Sequence, residues 1–348
     1  MSYKNLKIIT TCKVKVNFEK YGPTQLQHPD IREVIQRIYG EWPSPLMQPH
    51  QTSEKHLEGC YVGYHNGEPF GKFALYDNPE LHYQGSPVAC LGSYECIDDP
   101  GLGKSLLNHA EEMARARGSE QMIGPMEGST WNSYRLVEDW QQPAFFSEPV
   151  HQGYYLQQFQ DHGFMPIARF HSQLGTIPKP SATLEALKTR FEPYELTVRH
   201  ADLDRWEEEL APIATFTIEQ FSKNFLYTPL STAEFIGKYL PLKPLLDPEL
   251  ILIAEDQQGK IRGLCFLLRD HLAKDTPQVI IKTLARDRDA RYKGLGDVLT
   301  AHQYAVAWQK GYQKVLHAFM KDNNASLRLS HEYAGQAYRN YVLLGKTL

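Results

Sequence analysis

The stretch LARDRDARYKGLG, residues 284–296, predicts the fold of the chain around it. Before it lies VIIKT, residues 279–283, a β-branched run after Pro277 that predicts a strand. After it, residues 297–308 have the apolar spacing of a helix that ends at Gly311. Glycines between a strand and a helix let backbone N–H groups approach a ligand, and a helix N-terminus attracts anions. The loop is therefore suited to phosphate.

The spacing Arg291-x-x-Gly294-x-Gly296 resembles the pyrophosphate-binding loop of the GNAT superfamily of N-acetyltransferases. That family's pattern, R/Q-x-x-G-x-G/A, binds the diphosphate of acetyl-CoA. Downstream, VLHAFM at residues 315–320 predicts the next strand, and NNAS at 323–326 is similar to the family's N-x-x-S/A helix start. The alternative is an ordinary strand-to-helix turn with glycines for tight packing. We favour the resemblance because the whole arrangement is present.

The composition is ordinary for a soluble globular protein. The chain has 348 residues, of which 42% are hydrophobic and 22% charged, with a net charge of −4. This length predicts two or three domains, and the charge gives no reason to expect nucleic acid as a partner. No apolar run approaches the length of a membrane span, and residues 1–9 lack signal-peptide features. We therefore expect a cytoplasmic protein that does not enter a membrane.

The cysteines and histidines show no metal-ligand spacing. The five cysteines are Cys12, Cys60, Cys90, Cys96 and Cys265. Their odd number and scattered positions predict reduced thiols, and we expect no metal site.

The order of predicted elements occurs twice. The first half has a strand from Lys7 to Phe18, a helix over 29–38 and a hairpin at Asn66-Gly67. A strand over 88–96, a Gly101-Leu102-Gly103 loop, a helix over 104–117 and a strand over 121–123 follow. In the second half, a hairpin around residues 258–259 precedes the strand, Gly-Leu-Gly loop, helix and strand described above.

Five identities lie 193 positions apart in these two halves, which indicates a duplication. The pairs are Gly101 and Gly294, Gly103 and Gly296, His109 and His302, Ala114 and Ala307, and Gly118 and Gly311. A long repeat of this kind predicts two similar domains and not a solenoid.

The second unit opens with a predicted strand over 195–199 and helices near 203–221 and 232–239. The resulting β-α-α-β-β-β-α-β order is similar to that of a GNAT domain. The fold prediction is thus a mixed α/β (α+β) protein with two tandem GNAT-like acyl-CoA N-acyltransferase domains. Residues 1–174 form the N-terminal domain, 175–192 a linker after the Pro- and Ser-containing connector 174–181, and 193–348 the C-terminal domain.

The N-terminal copy departs from the family's loop pattern. Asp98 stands where the second copy has Arg291, and Asp99 and Pro100 follow it. The two carboxylates would repel a diphosphate, and the proline lacks a backbone N–H donor. A nucleotide-triphosphate P-loop is excluded as well, because its first glycine would fall at position 98. We therefore predict that the first cofactor loop is degenerate and that the chemistry lies in the C-terminal domain.

An aromatic and polar stretch of the first half is the candidate acceptor site. Residues 124–135 read GPMEGSTWNSYR, and residues 143–149 read PAFFSEP. Mixed aromatic and polar side chains in a loop suit a substrate pocket. The predicted substrate-binding residues are Trp131, Tyr134, Arg135 and Glu148. The alternative is that Trp131 and Phe145 pack the domain interface while Arg135 and Glu148 form an internal salt bridge.

The resemblance implies direct acetyl transfer, in which a deprotonated amine attacks the thioester carbonyl. It implies that backbone groups near Leu284 and Arg286 hold the pantetheine arm and that Asn323 contacts it. The implied diphosphate-binding residues are Arg291, Tyr292, Lys293, Gly294, Leu295, Gly296 and Asp297. Tyr333 is the candidate catalytic acid, although the family's spacing would place that tyrosine at Ser330.

His317 is the candidate general base, because imidazole titrates near neutral pH. The alternative is a hydrogen-bonded core histidine.

The predicted function is transfer of acetyl from acetyl-CoA to a small-molecule or peptide amine by a monomer or homodimer. Two alternatives remain open, a non-catalytic acyl-CoA-binding or interaction protein and an acyl or aminoacyl transferase with a larger acceptor.

Overall fold

The structure, a computed structural model, describes residues 15–41, 45–47, 52–322 and 334–348. The N-terminal half contains the following helices and strands. They are β1 Val16–Tyr21, α1 Pro29–Tyr39, β2 Leu57–His65, β3 Glu68–Tyr83, β4 Ser86–Cys96, α2 Pro100–Ala116, β5 Gln121–Gly124, β6 Leu136–Val137, α3 Tyr155–Asp161 and β7 Met165–Thr176. The predicted strand from Lys7 thus lies partly outside the described residues.

The C-terminal half repeats part of this order, because a hairpin, a third strand, a long helix and a parallel strand follow one another in both halves. Its elements are α4 Leu184–Lys188, β8 Thr197–His200, α5 Trp206–Phe221, α6 Thr232–Tyr239, β9 Ile251–Glu255, β10 Ile261–Arg269, β11 Gln278–Arg286, α7 Leu295–Gln309, β12 Lys314–Lys321 and β13 Ala334–Thr347. The predicted mixed α/β class and the tandem strand–helix–strand units are confirmed.

The two units end their long helices in the same way. Gly118 after α2 and Gly311 after α7 have φ of +82° and +85°, a left-handed conformation that glycine adopts without steric cost. The next residue then donates its backbone N–H to a carbonyl of the last turn, Ser119 to Ala114 and Tyr312 to Ala307. In both units a parallel strand follows, β5 beside β4 and β12 beside β11. This matching agrees with the spacing of 193 residues.

The helix starts differ from the prediction for the first unit. The predicted Gly101-Leu102-Gly103 loop is wrong, because α2 already begins at Pro100 and includes both glycines in its first turn. Proline is well suited to the first helical position, and the Asp99 side chain caps the helix ahead of it. The sequence prediction overlooked this Asp-Pro helix start.

The strands of both halves form one continuous sheet. Among the described residues its order is β1-β2-β3-β4-β5-β13-β7-β12-β11-β10-β9-β8, and β6 pairs with β13. The last strand of each half therefore lies in the other half, β13 beside β5 and β7 beside β12. The predicted division at residues 174 and 175 falls within β7. It stays a prediction, and the pairing makes the two halves depend on each other.

A central hydrophobic cluster joins the halves through the sheet. It contains Tyr76 and Ile123 from the first half with Ile280, Leu316 and Tyr341 from the second, and each of these side chains is at most 1% exposed. Helices α2 and α3 cover the first half, while α7 covers the second on one face and α5 with α6 on the other. Side chains of both halves therefore surround the middle of the sheet, where the cavity described below lies.

Candidate active site

The loop from β11 to α7 is held by its own aspartates. The Asp287 carboxylate accepts from the backbone N–H of Asp289 at 2.9 Å, and the Asp289 carboxylate accepts from that of Arg291 at 3.0 Å. Gly294 follows as the N-cap of α7, with φ of +90°. Because glycine has no side chain, the N-cap position supplies no side-chain oxygen to the first-turn N–H groups, and its carbonyl accepts only within the helix, from the Asp297 N–H at 3.0 Å. The start of α7 is thus open to an anionic ligand.

The predicted diphosphate-binding residues point in two directions. Tyr292 and Leu295 are buried in the hydrophobic cluster beneath α7, so only their backbones face the loop surface. The side chain of Arg291 is 59% exposed, and its Nε lies 3.3 Å from the Asp289 carboxylate. Lys293 is also exposed. A Cβ atom on Gly296 would meet open space. A ligand here would contact backbone N–H groups and two flexible cations.

The remaining predicted cofactor residues flank this loop. Leu284 is half-buried against the hydrophobic cluster beneath α7. The guanidinium of Arg286, at the end of β11, donates to the Asp287 carbonyl at 2.6 Å. Asp297 lies half-buried in the first turn of α7. Asn323 and Tyr333 fall outside the described residues, so their predicted roles stay predictions.

The corresponding helix start in the first half is already filled by a carboxylate. The Asp99 Oδ1 accepts from the backbone N–H groups of Gly101 and Leu102 at 2.8 and 2.9 Å. These are the donors that a diphosphate would require. The geometry therefore supports the prediction of a degenerate loop through capping as well as charge repulsion.

Replacing Asp99 by alanine is expected to destabilise the fold by about 1 kcal/mol, because two first-turn N–H groups lose their acceptor. Acyl-CoA affinity should stay unchanged. Chemical denaturation and calorimetric titration measure the two quantities, with Asp99→Asn as the cap-preserving control. Loss of acyl-CoA binding in a folded Asp99→Ala variant would contradict the assignment of the cofactor to the second half.

Beside the α7 loop, the parallel strands β11 and β12 separate. Their pairing runs from Gln278 opposite Lys314 to Ile281 opposite His317, although both strands continue beyond these residues. The pairing of β12 with β7 is irregular between His317 and Met320, where Phe319 has φ of +58°. The separation opens a wedge between the two strands, and the wedge leads into a cavity.

This cavity, of about 370 Å³, is lined by both halves of the chain. We refer to it as the central cleft. The first half contributes the predicted residues Trp131, Tyr134 and Arg135, and the second contributes Lys282 from β11 and Phe319 from β12, together with other residues of both halves. The structure thus brings three of the four predicted substrate-binding residues to the separated strands. Their contact with a substrate stays a prediction.

Trp131 also fixes one half to the other, as the packing alternative proposed. Its indole Nε1 donates to the Thr228 carbonyl at 2.9 Å, and its ring lies 6.1 Å from the rings of Phe221, Tyr227 and Phe235. The residue both lines the cleft and packs the interface. A substitution of Trp131 therefore tests stability and binding together.

The structure separates Glu148 from Arg135. The Glu148 carboxylate accepts from Arg339 Nε at 3.0 Å and from the Tyr341 hydroxyl at 2.7 Å, and both charged side chains are at most 1% exposed. The salt-bridge alternative with Arg135 is therefore wrong, since Glu148 pairs with Arg339 of β13. Glu148 is also not among the described residues that line the central cleft.

His317 has the environment of a core histidine. It is 3% exposed, and its Nε2 lies 2.7 Å from the Tyr304 hydroxyl of α7. Burial lowers the pKa of His317 to about 4. At neutral pH the imidazole is uncharged and is a much weaker base than an ordinary histidine. The geometry favours the structural interpretation, and its catalytic role stays untested.

Two lysines of the cleft were missed in the sequence. Lys282 lies on β11 and Lys238 on α6. Both side chains are exposed to the open cleft, and the protein atoms around them displace part of their hydration shell. The pKa of Lys282 is lowered to about 8 by this desolvation and by the charges of Lys238 and Arg135. The pKa of Lys238 is lowered by desolvation as well. For Lys282, the sequence signal was a charged residue within the apolar run 279–283.

Comparison with solved structures shows the same arrangement over almost the whole chain. A tandem GNAT protein from the clavulanic acid biosynthesis pathway matches with a TM-score of 0.54 and 12% identity, over 96% of this chain and 98% of that one. A GCN5-related N-acetyltransferase from Sphaerobacter thermophilus matches with a TM-score of 0.51 and 16% identity, over 95% of each chain. This chain has a tandem GNAT fold.

The tandem GNAT fold also occurs within larger proteins. A glucosamine N-acetyltransferase region of a fungal multi-domain GH3 β-N-acetylglucosaminidase matches with a TM-score of 0.55 and 15% identity, over 97% of this chain and 38% of that one. Identities this low show the fold alone. No family model matches the chain.

One curated relative of this tandem GNAT chain is a bacterial ceramide synthase from Caulobacter vibrioides. It is 24% identical over 186 residues, which cover 51% of this chain and 47% of that protein. The matched segment thus spans about half of each.

The described residues of this chain lack two features, a membrane-spanning helix and a cluster of metal-ligating side chains. They contain no helix that is both long and apolar enough to cross a membrane. They also contain no group of three or more His, Cys, Asp or Glu side chains placed to hold a metal ion.

Proposed function

We propose that this protein is an acyl-CoA-dependent N-acyltransferase whose active site lies in the central cleft. One observation carries the proposal. The pairing of β11 and β12 ends at Ile281 and His317, and residues just beyond this point line the cleft. Leu284 of β11 packs in the same hydrophobic cluster as Leu295, the first residue of α7. Strand β11 thus joins a site suited to a diphosphate to a cavity suited to an acceptor.

The residues at the start of α7 fit the diphosphate of a CoA ester. Gly294 adopts a backbone conformation that favours glycine, no side chain at this N-cap occupies the first-turn donors, and space is open beside Gly296. Arg291 and Lys293 add positive charge. In this proposal Leu284 and Arg286 lie along the path of the pantetheine arm, and Asn323 and Tyr333 retain their predicted roles as arm contact and acid.

The cleft also favours the reactive form of an amine. Arg135, Lys238 and Lys282 are all lining residues, and nearby positive charge disfavours the ammonium form of an incoming amine. Only the neutral amine has the lone pair that acyl transfer needs. The positive charges of the cleft therefore favour the loss of a proton from the acceptor. This effect does not depend on the predicted base His317, which is buried in the core.

Acetyl is the acyl group that we propose first, because the loop resembles that of acetyl-CoA-binding proteins. A longer acyl chain is the second candidate, and the match to a bacterial ceramide synthase over 51% of this chain favours it. The donor chain length separates these two candidates.

The test is a transfer assay with a series of donors from acetyl-CoA to palmitoyl-CoA and a panel of small amines, peptides and larger acceptors, analysed by mass spectrometry. We expect an N-acyl product and free CoA that both depend on the amine. Acyl-CoA binding without a product from any pair would support the non-catalytic binding protein instead. A product only with a large acceptor would support the acyl or aminoacyl transferase alternative.

A further inference from the structure

We propose that the central cleft binds an amine acceptor that carries a second, anionic group, a carboxylate or a phosphate, and that Arg135 is its principal partner. The inference rests on the proposed function only in treating the bound molecule as the acceptor. The structural observations concern Arg135, Ser147 and the two lysines of the cleft.

Arg135 is a buried cation that lacks an anionic partner. The residue is 7% exposed, its Nε donates to the Tyr134 carbonyl at 3.0 Å, and its Nη1 is buried with no hydrogen-bond partner. The guanidinium carbon lies 3.8, 4.3 and 4.6 Å from the ring centres of Tyr134, Phe170 and Phe319. The rings fix the orientation of the guanidinium without neutralising it. A buried charge of this kind is costly unless a counter-ion binds.

A second buried polar atom beside the cleft also lacks a partner. Ser147 lines the cleft, and its Oγ is buried with no hydrogen-bond partner. Buried polar groups are nearly always hydrogen-bonded, so an unpaired hydroxyl and an unpaired guanidinium nitrogen in one cavity call for an explanation. An anion supplies acceptors for both kinds of donor.

The charged side chains that line the central cleft have one sign. Lys282 and Lys238 line the cleft together with Arg135, and Lys238 Nζ is held by the Asn132 amide oxygen at 3.0 Å. No aspartate or glutamate is among the cleft-lining residues in the part of the chain that the structure describes. Glu148 lies between the cleft-lining residues Ser147 and Pro149, but its carboxylate is paired with Arg339. A second, smaller cavity that Arg135 also lines contains Glu95 and Glu127, whose carboxylates are hydrogen-bonded to Tyr155 and Ser93. The cleft is therefore built for a negative group that the described protein does not itself provide.

The backbone around the cleft is strained as well. Arg135, Ser147 and Phe319 have φ of +85°, +71° and +58°, a region that side-chain-bearing residues rarely adopt. Strain of this kind is kept where the surrounding structure holds a side chain in a functional position. It accompanies the unpaired donors and agrees with a binding role for this wall.

The test is direct binding of matched amine pairs by calorimetry, without acyl-CoA. The pairs are glycine against methylamine and phosphoethanolamine against ethanolamine, at concentrations up to about 20 mM, which detects millimolar dissociation constants. We expect the anionic member of at least one pair to bind more tightly. Preference within the glycine pair identifies a carboxylate site, and preference within the phosphoethanolamine pair identifies a phosphate site. Equal binding or no binding within both pairs overturns the proposal.

Substitutions then assign the effect to the cleft. Arg135→Met keeps apolar packing and removes the charge, so it should weaken the preferred anionic probe about ten- to a hundred-fold. Its melting temperature should equal or exceed that of the wild type, because an unpaired charge is removed. Lys282→Met provides a second charge removal should Arg135→Met not fold, and Arg205→Met at the exposed N-cap of α5 is the matched control. Undiminished anion binding in both cleft variants overturns the assignment.

The pH dependence gives an independent readout. The titratable and charged groups that line the cleft with Lys282 are Arg135, Lys238, Tyr134, Tyr227 and Tyr239. Because the pKa of Lys282 is lowered to about 8, its charge is lost as the pH rises through that value. Anion affinity should therefore fall between about pH 7 and 9, and Lys282→Arg should flatten this fall, since arginine stays charged. An affinity that is independent of pH in the wild type contradicts the role of Lys282.

Two further outcomes are informative. Anion binding without any acyl transfer leaves this inference standing and removes the proposed function. Equal acyl transfer to neutral and anionic amines supports the proposed function and overturns this inference. If Arg135→Met instead weakens succinyl-CoA more than acetyl-CoA and leaves the acceptor probes unaffected, the anion belongs to the acyl donor and the proposal is wrong.

Discussion

Gly296→Val is expected to weaken acyl-CoA binding about a hundred-fold or more while leaving the stability of the fold almost unchanged. Gly296 is the second residue of α7, and no atom lies within 4 Å of a Cβ built there. Side chains of a helix tilt toward its N-terminus, so the valine would extend into the space where the anion binds. Blocking two charge-assisted hydrogen bonds at about 1.5–3 kcal/mol each accounts for the expected loss.

The chain offers a matched control for this substitution. Gly101 is the second residue of α2, and Gly101→Val changes the same helix position at the start that Asp99 already caps. Calorimetric titration of both variants with acetyl-CoA compares the two helix starts, and thermal unfolding checks their folds. We expect Gly101→Val to bind like the wild type. Loss of binding in Gly101→Val with retention in Gly296→Val would place the cofactor in the N-terminal half.

Arg291→Ala should have a smaller effect than Gly296→Val. Its side chain is flexible and largely exposed, and one charged contact contributes about ten-fold in affinity. Gly294→Val should bind weakly too, but its φ of +90° strains any β-branched residue, so it also destabilises the helix start. Gly296 is therefore the cleaner position for the test.

Glu148→Leu is expected to cost about 3–5 kcal/mol of unfolding free energy, because it leaves the buried charge of Arg339 without its counter-ion. Arg339 also donates to the carbonyls of Asp139, Gln142 and Pro143. These hydrogen bonds hold β13 of the second half against residues 139–143 of the first. The substitution should therefore loosen the joint between the halves as well as the wall of the cleft.

A double-mutant cycle separates this pair from general packing. Glu148→Leu combined with Arg339→Met should recover much of the loss, since no uncompensated charge remains. The control is Glu185→Leu. The Glu185 side chain is 82% exposed and pairs with Lys188, so its loss should change the free energy of unfolding by less than about 0.5 kcal/mol. Denaturant unfolding measures the stability of the four variants, which are Glu148→Leu, Arg339→Met, their combination and Glu185→Leu. A cost for Glu148→Leu no larger than that for Glu185→Leu would contradict the structural role of the pair.

The sequence allowed prediction of the local units of the fold. The β-branched run before residue 284, the glycines and the helical spacing after them predicted β11, the loop and α7, because strand, turn and helix signals are local. The spacing of 193 residues correctly predicted a second copy. The start of α2 was missed, since the Asp-Pro cap and not the glycines sets it.

The exchange of the last strands was beyond this kind of prediction. β13 lies beside β5, and nothing in the alternation of β13 itself distinguishes that neighbour from β12. The pairing of Glu148 with Arg339 could not be predicted either, because the partners are 191 residues apart in the chain. Arg135 lines the cleft, and its predicted role in substrate binding stays a prediction. The absence of an acidic partner became visible only when the surrounding side chains were in position.

The central claim is that one CoA ester binds at the start of α7 and reaches through the wedge between β11 and β12 to the central cleft. A crystal structure of the protein with acetyl-CoA tests it most directly. The account predicts the diphosphate within about 2.7–3.2 Å of the backbone N–H groups around Gly294 and Gly296, with the acyl end beside Lys282 and Phe319. A nucleotide bound at the start of α2, or an acyl end that lies outside the central cleft, would contradict it.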